Sequence, residues 1–375
     1  MSRYIITIIV SILFFSCQAP TQDSNQSVDT AIENRYASHF SITENEGYTL
    51  ITIKNPWIDA ENIQYNYAVA HHSSAKLPPN AVHIKNTPKR VAAISTTHIA
   101  FIETIGQLSS IKAVSDKQYI YSRQFHKADS TAPIAEVGFD INLNVEKLLQ
   151  LNVELVFLYG ISNEIEPLRK KLMRANITPV MIGEYMEQHP LGKAEWVKVF
   201  GAIYQQQDVA EQYFSQTAQA YEKVKRAAAT TKNRPSVLTG MPWNDVWHTP
   251  GGKSFTAQLI ADAGGNYIFR NDTASVNYQY DTEIVYQRAG KADIWINAGT
   301  IHSLEQLRQK DNRMKLFKAY QNGNVFNNNK RSVRGGGSDY MESGAVNPHK
   351  ILSDLARIFR GDAQKHKLTY YKPIN

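Results

Sequence analysis

The sequence predicts an α/β fold of two lobes joined by a long helical section and preceded by a β-rich N-terminal extension. Three observations carry this. Short apolar runs alternate with amphipathic helical stretches from Pro88 onward; the alternation stops between Leu191 and Thr231; it resumes at Ser236. Continuous apolar strands set between amphipathic helices imply a parallel sheet covered on both faces. With 375 residues, 42% of them hydrophobic, the chain can bury two cores of ordinary domain size.

Taken in order, residues 1–16 read as a signal peptide, with Arg3 ahead of an apolar run from Ile5 to Phe15. That run is too short to span a bilayer, which needs roughly 20 helical residues. Cys17, the only cysteine, follows Ser16 directly, so no internal disulfide is available. A sole cysteine after such a core, followed by QAPTQDSNQS, resembles the lipid-attachment site of bacterial lipoproteins. Residues 17–45 then read as a flexible tether. Residues 46–87 read as a β-rich segment, opening on the alternating, β-branched YTLITIKN from Tyr48.

The first lobe, 88–190, holds a strand at PKRVAAIS and a helix at THIAFIETIG with Ile99, Ile102 and Ile105 on one face. Strands follow at IKAVSD, ELVFLYG and TPVMIG, with a basic-flanked helix at EIEPLRKKLMRANI. The linking section, 191–232, repeats aromatic and aliphatic residues at helical spacing, Trp196, Val199, Phe200 and Ile203 and then Tyr213, Phe214 and Tyr221. The second lobe, 233–375, alternates SVLTGM, SFTAQLIADAGG, ADIWINA, SLEQLRQ and NVFN, and a helix from His349 closes the fold.

One arrangement occurs twice. In NVEKLLQLNVELVFL, Glu146 opens a short helix that runs into a buried strand, and in DTEIVYQRAGKADIWIN Glu283 does the same. A carboxylate in the first turn of a helix is stabilised by the macrodipole, and an exposed one offers a bidentate target to a guanidinium.

Five stretches in order, TPKRVAAISTTHIAFIETIG, NVEKLLQLNVELVFLYG, WHTPGGKSFTAQLIADAGGNYIF, DTEIVYQRAGKADIWI and ESGAVNPHKILSDL, resemble the substrate-binding proteins of bacterial ABC importers for iron chelates and cobalamin. The resemblance runs from Thr87 to about Phe359 and implies two Rossmann-like lobes joined by a long rigid helix. It implies that Glu146 and Glu283 dock into arginines of an ABC permease dimer. It also implies a monomer in the periplasm, held to the membrane through a lipid on Cys17 alone.

In such a protein the pocket lies between the lobes, where loops after the carboxyl ends of the strands converge. Candidates in the first lobe are Thr96, His98, Asp116, Tyr119, Phe139, Asp140 and Tyr159; the second offers Trp243, Trp247, His248, Tyr278, Tyr280, Arg331 and Arg334. Aromatic side chains suit a flat macrocycle or catechol-type chelate, and arginine suits its anionic groups. In the cobalamin binder of this family, tryptophans stand where Asp140 and Asn277 fall here. Both departures favour an iron chelate, siderophore or haem, over a corrinoid.

Other classes fit less well. The net charge of +7 is spread without a basic stripe carrying interleaved aromatics, which argues against nucleic acid. No GxSxG, HExxH, Walker or GxGxxG motif supports an enzyme, and PGGKS at Pro250–Ser254 reads as a turn capping the next helix. The His71-His72 pair is not joined by ligands at metal-binding spacing, so neither a metal nor a cofactor is expected.

Overall fold

The computed structural model describes residues 30–139, 142–244, 246–274 and 277–375, with the side chains of 30, 277 and 278 excepted. The expected signal peptide, Cys17 and Asp140 lie outside the described residues. Strands β1 (Thr30–Ile32), β2 (Phe40–Asn45), β3 (Tyr48–Lys54), β4 (Gln64–Ala70) and β5 (Val82–Ile84) form an N-terminal sheet in that order. Two of these strands fall inside the stretch 17–45 expected as tether, and that boundary is corrected. Their polar sequence hides the reason, which is long-range. Backbone N–H groups of Arg35, Tyr36 and Ala37 donate to the buried Glu195 carboxylate at 2.9 to 3.0 Å, and those of Ser38 and His39 donate to Glu187.

The first lobe comprises β6 (Val91–Ala93), α1 (Thr96–Thr104), β7 (Ile111–Val114), α2 (Arg123–Thr131), β8 (Ala135–Glu136), α3 (Val145–Gln150), β9 (Leu155–Leu158), α4 (Glu166–Arg174) and β10 (Thr178–Met181). Its sheet is parallel throughout, in the order β10-β9-β6-β7-β8. Every residue of β6 and β9 is buried, as continuous apolar strands require. The N-terminal sheet packs beside the edge strand β10, whose Met181 N–H donates to the Tyr67 hydroxyl at 3.1 Å. An edge that would otherwise present free backbone groups is thereby covered.

Three helices make the link: α5 (Pro190–Glu195), α6 (Val197–Ile203) and the 23-residue α7 (Gln207–Ala229). Phe200 of α6 stacks on Phe101 and Phe157 of the first lobe at 4.9 and 4.7 Å between ring centroids. From α7, the Tyr221 hydroxyl donates to Asp262 and that of Tyr213 to Asn347, both in the second lobe.

The second lobe holds β11 (Ser236–Thr239), β12 (Met241–Trp243), β13 (Val246–Pro250), α8 (Phe255–Asp262), β14 (Asn266–Tyr267), β15 (Asn277–Asp281), α9 (Thr282–Ala289), β16 (Ile294–Ile296), α10 (Leu304–Lys310), α11 (Lys318–Gln321), β17 (Val325–Asn327), α12 (Pro348–Phe359) and β18 (Lys372–Pro373). Its main sheet runs β14-β11-β16-β17-β18, parallel except for the last pair, and a small antiparallel sheet β12-β13-β15 stands beside it. The Ser254 hydroxyl caps α8 by accepting from Ala257 N–H, so PGGKS is the turn its sequence suggests.

Candidate ligand cleft

The strand order of both main sheets reverses once, and an open α/β sheet takes its ligand outside the carboxyl ends of the strands at that reversal. In the first lobe the reversal lies between β6 and β9, and in the second between β11 and β16. Tyr159 directly follows β9, and the β12 segment ending in Trp243 follows β11 within two residues. Each lobe thus has one aromatic just beyond a strand at its reversal point, Tyr159 and Trp243. Trp243 is 69% exposed at the end of its strand, an unusual position for so large an apolar group.

The lobes meet on both sides of this crevice. On the β7 and β17 side, Glu342 accepts from the backbone N–H groups of Tyr121 and Ser122 at 2.7 and 2.8 Å, and the Ser122 hydroxyl donates to Glu103 at 2.6 Å. The glycines of Arg334–Ser338 let the second lobe press against the first: a Cβ on Gly337 would fall 1.9 Å from the Tyr119 carbonyl oxygen. Burial pushes the Glu342 carboxyl up to about 7; the two amides oppose this, and the nearby Asp339 and Glu103 charges add to it. A cavity of about 440 Å³ lies along this seam. On the β10 and β14 side, Trp57 and Ile58 of the N-terminal extension, Tyr185 and Met186 of the first lobe and Phe255 of the second enclose a further cavity of about 510 Å³.

The remaining candidates divide. Tyr119 and Phe139 are exposed on the loops after β7 and β8, and Arg334 is exposed in the glycine loop beside Tyr119. Asp116 is turned inward to its own loop, accepting from Gln118 N–H and Nε2. Arg331 lies at the seam, paired with Asp339 at 2.7 Å and placed over the Tyr121 ring. His248 points outward from β13. Tyr280 is half-buried, stacked on Phe269 at 4.3 Å with its hydroxyl on Asp272. Tyr278 of β15 pairs with Thr249 of β13, and its side chain is not among those described.

Trp247 is a correction. It is 0% exposed, donates its indole N–H to the Thr239 carbonyl and packs on Trp295 and Phe317. Alternation along β13 turns Trp247 and Thr249 to the core and His248 to solvent. His98 is likewise fully buried, and burial depresses its imidazole to about 3, so a neutral ring belongs to the core beneath the crevice. Among the described residues no group of three or more His, Cys, Asp or Glu could hold a metal ion.

A family model described as periplasmic binding protein matches residues 91–331. The chain belongs to that family. An uncharacterized lipoprotein of Methanocaldococcus jannaschii is 30% identical over 293 residues, which is 75% of this chain and 67% of that one. A periplasmic haem binding protein of Pseudomonas aeruginosa superposes with a TM-score of 0.58 at 14% identity, covering 77% of this chain and 98% of that structure. The periplasmic vitamin B12 binding protein of Vibrio cholerae does so with a TM-score of 0.54 at 14% identity, covering 75% and 99%. At these identities the two structures speak for the fold. Among the described residues of this periplasmic binding protein, no helix is long and apolar enough to cross a membrane.

The repeated glutamates of the binding protein stand in the first turns of α3 and α9. Their side chains are 74% and 66% exposed, and each is met by a basic side chain of its own lobe, Lys171 for Glu146 and Arg313 for Glu283. Sequence reasoning missed the buried acids that join parts of the molecule, Glu342, Glu187 and Glu195. A signal exists for Glu195. It stands in the apolar run AEWVKVF with Lys198 three residues on, a spacing that pairs them at 3.0 Å in the interior.

Proposed function

We propose that this periplasmic binding protein holds an iron chelate, siderophore or haem, between its lobes and delivers it to an ABC permease dimer through Glu146 and Glu283. Delivery from the periplasmic face, with a lipid on Cys17 as the only membrane anchor, completes the reading. The role is one of binding rather than catalysis. The exposed Trp243 carries the ligand assignment: a large aromatic held in water at a sheet reversal gains most by covering a flat, apolar ligand face. Tyr119, Phe139 and Tyr159 extend the aromatic surface, and Arg334 supplies a cation for carboxylate or catecholate groups.

The test is a titration of ligand-free protein with haemin, a ferric trishydroxamate, a ferric catecholate and cyanocobalamin, followed by tryptophan fluorescence and the visible spectrum. One iron chelate should bind at least tenfold more tightly than cyanocobalamin, and Trp243→Ala should weaken it. Preferential binding of cyanocobalamin, or binding unchanged by Trp243→Ala, would overturn the assignment.

A further inference from the structure

The two lobe tips differ in how firmly they hold their carboxylate, and each carries an exposed apolar side chain beside it. At the second-lobe tip, Arg313 donates through Nη1 to Glu283 Oε1. The same guanidinium is fixed from two other directions: Nε and Nη2 donate to Asp311, and the group lies 4.5 Å above the Tyr286 ring, whose hydroxyl also donates to Asp311. Glu283 is thus met through one oxygen by a cation that Asp311 and the Tyr286 ring also hold. Arg313 sits in a 3-10 turn, Asn312–Leu316, where residues three apart eclipse, so Leu316 lies on the same side. Leu316 is 66% exposed, and Ile284, next to Glu283, is also exposed.

At the first-lobe tip the match is looser. Lys171 Nζ reaches Glu146 Oε1 at 3.5 Å, and both side chains are mostly solvated. Leu149, 48% exposed, is one turn along α3 on the face of Glu146. An ammonium on a flexible stem holds a carboxylate without fixing its orientation, whereas the planar guanidinium fixes it.

Resting on the docking role proposed above, we infer that each lobe tip is a composite docking patch, a carboxylate beside an exposed leucine, and that the preorganised second-lobe patch is the dominant one. The partner it fits is a permease surface offering a cation next to apolar side chains. Arg313 is a positioning residue, and Leu316 and Leu149 are contact residues. Preorganisation lowers the ordering cost of association, which is why the Glu283 side should dominate.

The experiment measures binding of the ligand-loaded protein to an ABC permease dimer from the same cell in nanodiscs, with empty nanodiscs as control. Glu146→Ala, Glu283→Ala, Leu149→Glu, Leu316→Glu and Arg313→Ala are compared, and ligand affinity and thermal unfolding are recorded for each. Leu316→Glu should weaken the complex at least tenfold and Leu149→Glu less, with ligand affinity unchanged. Arg313→Ala makes the tip more negative, so a contact governed by net charge would tighten; the positioning role predicts at least threefold weakening. If both glutamate variants weaken docking while both leucine variants bind like wild type, the docking role stands and the composite patch falls. If the glutamate variants also bind like wild type, the docking role itself fails. Equal losses from the two leucine variants, tightening by Arg313→Ala, or equal binding to empty nanodiscs would each overturn the inference.

Discussion

Trp243 and Trp247 are four residues apart on one hairpin, and their surroundings assign them opposite work. Trp247→Ala empties a site walled by Trp295 and Phe317 and should cost about 3 to 5 kcal/mol in urea unfolding. Trp243→Ala removes an exposed ring and should move stability by less than about 0.5 kcal/mol while lowering ligand affinity. A large stability loss from Trp243→Ala would contradict its placement at the crevice. Glu342 gives a second residue-scale expectation. Its folded pKa of about 7 lies above the ordinary carboxyl value of 4.5, so the folded protein holds the proton more tightly than the unfolded chain. The resulting stability is complete below about pH 4.5 and is lost as pH rises through about 7, on the order of 3 kcal/mol. Glu342→Gln lacks the titrating group. Wild type should therefore lose stability relative to this variant between pH 5 and pH 7.5, and parallel stability curves would refute the assignment.

Among the elements, the segment 35–39 takes its structure from residues about 150 positions away. Glu195 is fully buried, accepts three backbone N–H groups from this segment and pairs with Lys198. Removing Glu195 strips three N–H groups of their acceptor and leaves Lys198 with Glu211 alone, at a cost of roughly 3 to 5 kcal/mol. Glu195→Ala should accordingly raise amide hydrogen exchange at residues 35–39 far more than in β9, and exchange that rises equally in both would mean global loosening instead. Gly192 belongs to the same joint, since a Cβ there would fall 2.9 Å from the Tyr36 carbonyl oxygen. These features mark what was legible in the sequence. The strands of both lobes announced themselves as apolar runs, and the helices by their periodicity, because local burial is written locally. The strand at Thr30–Ile32, the seam at Glu342 and the pairing of Arg331 with Asp339 depend on partners brought close by the fold. The seam contacts of Glu342 join residues more than 200 positions apart. Trp247 reads as a crevice residue from sequence because an aromatic-rich stretch does not reveal which of its faces is buried.

At the scale of the molecule, three connections restrain the lobes: α7 packed on both, the Glu342 seam, and the cavity walls shared by Tyr185 and Phe255. Ligand loading should therefore produce small rotations rather than wide closure. X-ray scattering should show a radius of gyration nearly unchanged on loading, and a marked compaction would contradict this. The N-terminal sheet adds a consequence of another kind. Because the segment after β1 is fastened to Glu195 and Glu187, a pull on the chain ahead of it is borne at the root of the linking helices rather than at either sheet that walls the crevice. Tension on the N-terminal side therefore leaves the two faces that meet the ligand in register.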